Sequence, residues 1–116
     1  MKIEKFEDII AWQKSKELTR MIYQQFHSSN DLGYRDQIQR ASVSIMNNIA
    51  EGFERKGDKE FKNFLYISKG SCAEVRSMLY LAVDLSYISE EKAKELIIQT
   101  QVISRLLSGF IKISNF

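Results

Sequence analysis

The sequence predicts an all-α protein, an antiparallel up-down-up-down four-helix bundle. Four segments repeat apolar residues with a helical period, and no segment of useful length alternates apolar and polar residues as a half-buried strand does. The 116 residues include no proline, which favours long uninterrupted helices. Because the connections between the segments are short, consecutive helices are expected to lie antiparallel. The length fits a single domain over residues 1–116.

Each of the first two helices is defined by one apolar row. The first helix is predicted from about Phe6 to Phe26, and a run of short polar residues up to Gly33 ends it. The second is predicted from about Tyr34 to Phe53, and Gly57 follows its end. The rows are Ala11, Leu18, Ile22 and Phe26 in the first helix, and Ile38, Ala41, Ile45, Ile49 and Gly52 in the second.

The third helix is predicted to be the longest, from Asp58 as its N-cap to Leu85 or Ser86. It carries two adjacent rows, which indicates a helix covered on more than one side, by its neighbours and by another subunit. The fourth helix is predicted to start at Ser89, with acidic residues in its first turn. The rows of the third helix are Phe61, Leu65, Ser68, Cys72, Val75, Leu79 and Ala82, and Phe64, Ile67, Ser71, Glu74, Met78, Leu81 and Leu85.

Composition excludes several classes of protein. Lys and Arg number 17 against 15 Asp and Glu, a net charge of +2, which argues against a strongly basic, histone-like binder. No apolar run approaches the roughly 18 residues that span a bilayer, and the first residues do not resemble a signal peptide. We therefore expect a soluble cytoplasmic protein with no membrane partner.

No set of residues predicts catalysis, a metal or a cofactor. A single histidine and a single cysteine are too few for a zinc or di-iron site, and no phosphate-binding loop or nucleophile motif occurs. Cys72 falls in an apolar row and is interpreted as a small core residue. His27 ends the first helix, where a cation caps the carboxyl terminus. We expect a protein that is not an enzyme.

A polar stripe follows the second helix directly beside its apolar row. Its members are Gln37, Arg40, Ser44, Asn48 and Glu51. One interpretation is a solvated flank. The other is partial burial against Ser68, Ser71 and Glu74 of the third helix, with Arg40 paired to Glu74, because an unpaired buried charge is costly. In that case the contact fixes the register between two helices.

Two groups of basic residues are candidates for nucleic-acid binding. One lies at the turn between the second and third helices, and the other lies on the first helix. The groups are Arg55, Lys56, Lys59 and Lys62, and Lys14, Lys16 and Arg20. The alternative interpretation is that these charges only solubilise amphipathic helices. Oligomerisation would repeat a patch and multiply a weak affinity for phosphates.

Three segments of the sequence together resemble a known family. They are the opening Phe6 to Gln13, which includes Trp12; the run QIQRASVSIMNNIAEG, residues 37–52; and the run FKNFLYISKGSCAEV, residues 61–75. They are similar to the four-helix bundle proteins encoded in intervening sequences of bacterial 23S ribosomal RNA, also called the S23 ribosomal protein family. The chain also resembles the accessory protein of diversity-generating retroelements, a markedly basic pentamer that binds nucleic acid.

The resemblance implies a homo-oligomer, commonly a pentameric ring, with no known catalytic activity. It places the family motif at structural positions or subunit contacts. These positions are Trp12, Gln13, Arg40, Ser44, Asn48, Ile49, Glu51, Gly52, Gly70, Ser71 and Glu74. Gly70 lies inside a helix, where glycine costs about 0.5 to 1 kcal/mol relative to alanine, so a close backbone approach is expected there. We expect Gly70→Leu to disrupt the bundle or its assembly.

The function predicted from the sequence is therefore that of a non-enzymatic, homo-oligomeric bundle, pentameric by resemblance, that contacts structured RNA or DNA through repeated basic patches. The alternative is an oligomeric adaptor or scaffold whose partner is another protein. The two differ in their salt dependence, because phosphate contacts weaken steeply as salt rises.

Overall fold

The computed structural model describes residues 3–55 and 57–113, and these residues form four long helices and one short 3-10 turn. The described residues contain no strand, which confirms the all-α prediction. After the 3-10 turn Phe6–Asp8, the helices are α1 Ile10–Phe26, α2 Leu32–Glu54, α3 Asp58–Asp84 and α4 Glu90–Ile113.

Two helices begin at different residues from those predicted. The first predicted helix is interrupted at Ile9, whose backbone is extended and whose side chain is buried, so the 3-10 turn is separate from α1. α2 begins two residues earlier than predicted, because the carboxylate of Asp31 accepts a hydrogen bond from the Tyr34 N–H at 3.0 Å. Gly33 therefore lies inside the first turn of α2 and not in the connection.

Residues at capping positions also mark the limits of α3 and the start of α4. Gly57 occupies the N-cap position of α3, so the prediction that Asp58 is the N-cap is wrong by one residue. α3 ends at Asp84, and Ser86 beyond it adopts a left-handed φ of 61°. The prediction for Ser89 is confirmed, since its Oγ accepts a hydrogen bond from the Lys92 N–H at 3.1 Å.

Contacts between helices show the up-down-up-down order. Between α2 and α3, Tyr34 Oη donates to the Met78 carbonyl at 2.6 Å, and Ser68 Oγ donates to the Ile45 carbonyl at 2.7 Å. Residue numbers rise along one helix as they fall along the other, so the pair is antiparallel.

α1 and α2 are antiparallel by the same reasoning, since Phe26 lies against Tyr34 and Thr19 against Ser42. α3 and α4 are antiparallel too, since Phe61 lies against Phe110 and Cys72 against Thr100. α1 also contacts α4, which closes the ring of four helices. The bundle measures 43 × 22 × 19 Å.

The predicted inward rows form the core. Along α3 every member of the first predicted row is buried. In the second row only Met78 is buried, whereas Ile67, Leu81 and Leu85 are exposed. Within one chain, α3 is therefore covered mainly on one side, and the exposed apolar members of its second row face solvent.

α4 is the most apolar of the four helices. By length and by a mean hydropathy of 1.3 over 18 residues it is apolar enough to cross a membrane, with 28% of that window buried. The prediction concerned uninterrupted apolar runs, and in α4 polar residues such as Gln99, Thr100 and Gln101 interrupt them. A row of its side chains completes the bundle core, namely Ala93, Leu96, Thr100, Ile103, Leu107 and Ile111.

Candidate functional site

The polar stripe of α2 faces α3 across a shallow groove that is lined in part by four motif residues, Arg40, Ser44, Ser71 and Glu74. The groove is lined by Gly33, Asp36, Gln37, Arg40, Ala41, Ser44, Ser71 and Glu74. In its half-buried part, Ser44 Oγ and Ser71 Oγ lie 2.9 Å apart. Asn48 Nδ2 donates to the Ser44 carbonyl at 2.8 Å and to Ser44 Oγ at 2.9 Å. One turn of helix separates Asn48 from Ser44, so the amide can reach both atoms.

The predicted ion pair between Arg40 and Glu74 is wrong. Glu74 Oε2 instead accepts a hydrogen bond from Gln37 Nε2 at 3.3 Å, one turn earlier on α2. Arg40 and Glu74 are both exposed, so neither charge needs the other to offset the cost of burial. The prediction of partial burial holds for two members of the stripe, Ser44 and Asn48, which are half-buried beside the half-buried Ser71 of α3.

Small hydroxyl side chains at the helix contacts fix the register beneath this groove. Ser68 Oγ bonds to α2 through the Ile45 carbonyl, and Thr19 Oγ1 donates to the Ser42 carbonyl at 3.0 Å, joining α1 to α2. Every buried side-chain nitrogen or oxygen in the described residues has a hydrogen-bond partner. A satisfied polar group stabilises one alignment of the helices, because sliding either helix would leave that group unpaired.

The two motif glycines have opposite surroundings. A Cβ atom on Gly52 would lie 2.5 Å from Phe64 Cβ, so α2 and α3 touch closely at this point. A Cβ atom on Gly70 would meet nothing within 4 Å. The expected close approach at Gly70 is therefore wrong within one chain, because Gly70 points away from the bundle. Gly52 is the glycine that packing requires.

Trp12 and Gln13 hold the amino-terminal turn against α1. The Trp12 ring packs edge-on against Phe6, with centroids 5.1 Å apart. Gln13 Nε2 donates to the Glu7 carbonyl at 2.8 Å. Lys16 Nζ lies 5.6 Å from the centroid of the Trp12 ring, within range of a cation–π contact. Trp12 and Gln13 therefore attach the 3-10 turn to α1.

The basic residues of α1 do not form one patch. A helix turns by about 100° per residue, so Lys14 and Lys16 lie about 200° apart around α1. Arg20 is exposed and bonded to the carboxylate of Glu17. The Arg20 guanidinium lowers the pKa of Glu17, mainly through this hydrogen bond. Of the three, only Lys14 and Lys16 have no ion-pair partner among the described residues.

The second basic group surrounds the α2–α3 connection. Arg55 is paired with Glu51 at 3.0 Å and with Glu60 at 3.5 Å, and its guanidinium carbon lies 5.1 Å from the Phe64 ring centroid. Lys59 is exposed and Lys62 is half-buried, and neither forms an ion pair with any described residue. Lys56, the remaining member of this group, lies outside the described residues.

Neither candidate for reactive chemistry is poised to react. Cys72 is buried, its thiol donates to the Thr100 carbonyl at 3.1 Å, and burial raises its pKa to about 11. A thiol with a raised pKa is a poor nucleophile at neutral pH. His27 Nδ1 lies 2.9 Å from the Gln24 carbonyl at the end of α1, in agreement with the capping interpretation. Residues 3–55 and 57–113 contain no group of three potential metal ligands.

One polar cluster was missed by the sequence interpretation. Asp31, which caps α2, also accepts a hydrogen bond of 2.6 Å from Tyr87 Oη in the α3–α4 connection. The Tyr87 hydroxyl and the Tyr34 N–H lower the pKa of Asp31, and the Tyr87 ring packs edge-on against Tyr34. The position of Asp31 three residues before Tyr34 is typical of an N-cap, but no local pattern links it to Tyr87.

Comparisons with known proteins identify relatives by sequence and by fold. A family model described as 23S rRNA-intervening sequence protein matches residues 7–109. A crystal structure from Bacteroides thetaiotaomicron, of a protein with unknown function from the S23 ribosomal protein family, superposes with a TM-score of 0.83 at 26% identity. The alignment covers 89% of this chain and 99% of that chain. No curated protein matches the sequence significantly.

Proposed function

Because this chain belongs to the 23S rRNA-intervening sequence protein family, we propose that it works as a non-enzymatic homo-oligomer that contacts structured RNA or DNA through basic residues repeated in every subunit. The assembly that we expect is a pentameric ring, and the compartment is the bacterial cytoplasm. A protein of this kind acts by holding a partner and not by turning over a substrate.

The observation that supports the nucleic-acid contact is the pair of lysines near the start of α3. Lys59 and Lys62 lie one turn apart and have no ion-pair partner among the described residues, so their charges remain available to a phosphate backbone. Arg55 contributes less, because Glu51 and Glu60 already balance its charge. Among the described residues, we therefore propose Lys59 and Lys62 as the main phosphate contacts.

Repeating the lysine pair in every subunit compensates for the weak affinity of one pair for phosphates. Two lysines neutralise few phosphates, and a net charge of +2 attracts nucleic acid only weakly. A ring presents the same pair once per subunit, and each further contact on one nucleic acid becomes intramolecular after the first. The proposal therefore requires assembly, and a monomeric form should bind much more weakly.

The test is a titration of labelled structured RNA and duplex DNA, followed by fluorescence anisotropy at several salt concentrations, with the oligomer mass measured in the same buffers. We expect log affinity to fall linearly with log salt. Replacing both Lys59 and Lys62 with Gln should flatten that slope by about one unit for each phosphate that the variant no longer neutralises.

Lys94→Gln serves as the matched control, since Lys94 is an exposed lysine on α4, away from the α2–α3 connection. The control should retain the wild-type slope and affinity. Absence of binding by the wild type at low salt, or equal loss of binding in the control and the double variant, would refute the proposed contact.

A protein adaptor is the second candidate function. A groove at the end of the bundle, between the start of α1 and the end of α4, is mainly apolar and suits a protein side chain better than a phosphate. It is lined by Ile3, Asp8, Ile9, Ile10, Ala11, Arg105, Leu106, Gly109, Phe110 and Ile113. A partner that binds equally well at low and high salt would favour this function.

A further inference from the structure

A row of basic and aromatic side chains runs along α3 on the flank next to α4. Its members follow one another at steps of three and four residues, so they lie on one face of the helix. We call this surface the tyrosine row. It consists of Lys62, Tyr66, Lys69, Ala73, Arg76 and Tyr80.

Contacts between α3 and α4 place the tyrosine row beside α4. Tyr80 lines a groove together with residues of α4. Further along, the Cys72 thiol bonds to the Thr100 carbonyl of α4. Burial raises the pKa of this thiol, and the charges of Arg76 and Lys69 oppose that rise. Both basic side chains therefore lie near the contact between the two helices.

Both tyrosines of the row present their rings to solvent. Tyr66 is 56% exposed and Tyr80 is 57% exposed. Within residues 3–55 and 57–113, neither ring pairs with another aromatic ring and neither hydroxyl forms a hydrogen bond. An exposed aromatic ring is a surface on which an unpaired base stacks. The two rings lie about 21 Å apart along the helix, so they suit two different nucleotides of one strand.

Basic side chains flank both rings. Lys62 and Lys69 lie one turn before and one turn after Tyr66. Arg76 lies one turn before Tyr80. None of the three basic side chains forms an ion pair with a described residue. All three are half-buried, as is typical of long side chains that lie along a helix and hold their charge in water.

Acidic residues are absent from the middle of this surface. Along the length of the tyrosine row, Glu74 is the only acidic residue of α3, and it bonds to α2. Residues 96–113 of α4 include no acidic residue. They contribute Arg105 and Lys112, which are exposed and lie about three and five turns after Lys94, a residue of the α3–α4 groove. Basic side chains of both helices therefore share this surface.

The groove becomes acidic beyond Tyr80. Asp84 and Glu90 line it together with Lys94, so two negative charges face one positive charge. Phosphates are repelled by such a surface, and a bound strand would therefore end near Tyr80. Lys94 lies outside the path that this charge distribution leaves for phosphates.

We infer that an unpaired strand of RNA or DNA lies along the tyrosine row, with bases stacked on Tyr66 and Tyr80 and phosphates bound by Lys62, Lys69 and Arg76. This inference rests on the proposed function and names the part of a structured nucleic acid that is recognised, because a base can stack on a side chain only where it is unpaired. An acidic peptide would match the charges, but its carboxylates would leave both rings without a stacking partner.

The experiment measures the affinity of a fluorescein-labelled oligothymidine of about 15 nucleotides, and of the same strand in a duplex, by fluorescence anisotropy at low salt. We expect Tyr66→Ala and Tyr80→Ala each to weaken single-strand binding about fivefold or more and to leave duplex binding unchanged. Tyr66→Phe and Tyr80→Phe retain the ring and should bind as the wild type does. Tyr23→Ala is the matched control, because Tyr23 is an exposed tyrosine of α1.

A second set of variants tests the charges. Lys69→Gln and Arg76→Gln should each flatten the plot of log affinity for the single strand against log salt by about 0.7 for one phosphate that is no longer neutralised. Lys14→Gln should keep the wild-type slope, because Lys14 is an exposed lysine of α1, outside the tyrosine row.

The outcomes separate this inference from the proposed function. Unchanged single-strand affinity in both alanine variants, or an equal loss in the alanine and phenylalanine variants, would overturn the inference alone. The contact of Lys59 and Lys62 with structured RNA or duplex DNA would then stand. A wild type that binds neither the single strand nor structured RNA or duplex DNA at low salt would overturn both.

Discussion

At the scale of single residues, the two motif glycines show how one residue type can serve opposite purposes. Gly52 faces Phe64 and Phe61 of α3 at distances that leave no room for a methyl group. Gly70 faces open space, so its conformational cost is not offset inside the chain. The expectation of a close backbone approach at Gly70 is therefore wrong within one chain, and the effect of Gly70→Leu on the bundle or its assembly stays a prediction.

Alanine at these two positions should change stability in opposite directions. Gly52→Ala forces Phe64 to move and should lower the free energy of unfolding by about 1 to 3 kcal/mol. Gly70→Ala adds a better helix former and should raise it by about 0.5 to 1 kcal/mol in the dissociated protein. Urea unfolding at low protein concentration measures both. Equal effects of the same sign would contradict the packing described here.

At the scale of the helices, the cluster around Asp31 ties two chain connections together. The carboxylate caps α2 and also holds the hydroxyl of Tyr87, which follows α3. Directly beneath, Tyr34 Oη bonds to the Met78 carbonyl near the end of α3, and burial raises the pKa of Tyr34. The start of α2 is therefore fixed both by its own cap and by α3.

The stability of this cluster should depend on acid. The pKa of Asp31 is lowered below its ordinary value of 3.8, first by the Tyr87 hydroxyl and then by the Tyr34 N–H. A group with a lowered folded pKa contributes stability that is present above 3.8 and is lost as the pH falls through the folded pKa. In Asp31→Asn, which retains a capping side chain, this acid-dependent loss should disappear.

Thermal unfolding of the wild type and Asp31→Asn from pH 2 to pH 7 measures the difference. The difference in melting temperature between the wild type and Asp31→Asn should change with pH only in the acidic range. Glu17→Gln is the control, because Glu17 is also a carboxylate with a lowered pKa but bonds only to its exposed neighbour Arg20 on the same helix. Identical acid profiles for the wild type and Asp31→Asn would contradict the role assigned to the cluster.

At the scale of the whole molecule, the four helices bury one continuous core and leave α3 open on its outer side. The inner apolar rows fill the core of the bundle, and the hydrogen bonds from the hydroxyl groups of Thr19 and Ser68 set the alignment of neighbouring helices. In the second row of α3, Ile67, Leu81 and Leu85 remain exposed, although Met78 of the same row is buried. The molecule therefore combines a continuous core with exposed apolar side chains along the outer side of α3.

If folded copies associate and unfolded ones do not, the melting temperature should rise with protein concentration, because association stabilises only the folded state. We expect a steady increase in Tm across a hundredfold range of concentration for the wild type. A wild-type Tm that is independent of concentration would argue against self-association.

The sequence by itself determined the number of helices, their order and nearly all of the core. A helical row depends on spacing along one segment, so Ile38, Ile45 and Ile49 could be assigned to the core before any partner was known. Helix caps also depend on local sequence, which is why Ser89 could be assigned to the start of α4. The three segments 6–13, 37–52 and 61–75 together were likewise sufficient to indicate the family.

Only the tertiary structure decided which polar and small residues meet. Whether Glu74 contacts Arg40 or Gln37 depends on the alignment of two helices to within one turn, and apolar spacing does not define that alignment. The same holds for Gly52 and Gly70, which differ only in the side of the helix that a neighbour covers. The pairing of charges is only partly local, because Arg55 pairs with Glu51 at helical spacing and also with Glu60 of α3, across the connection between the two helices.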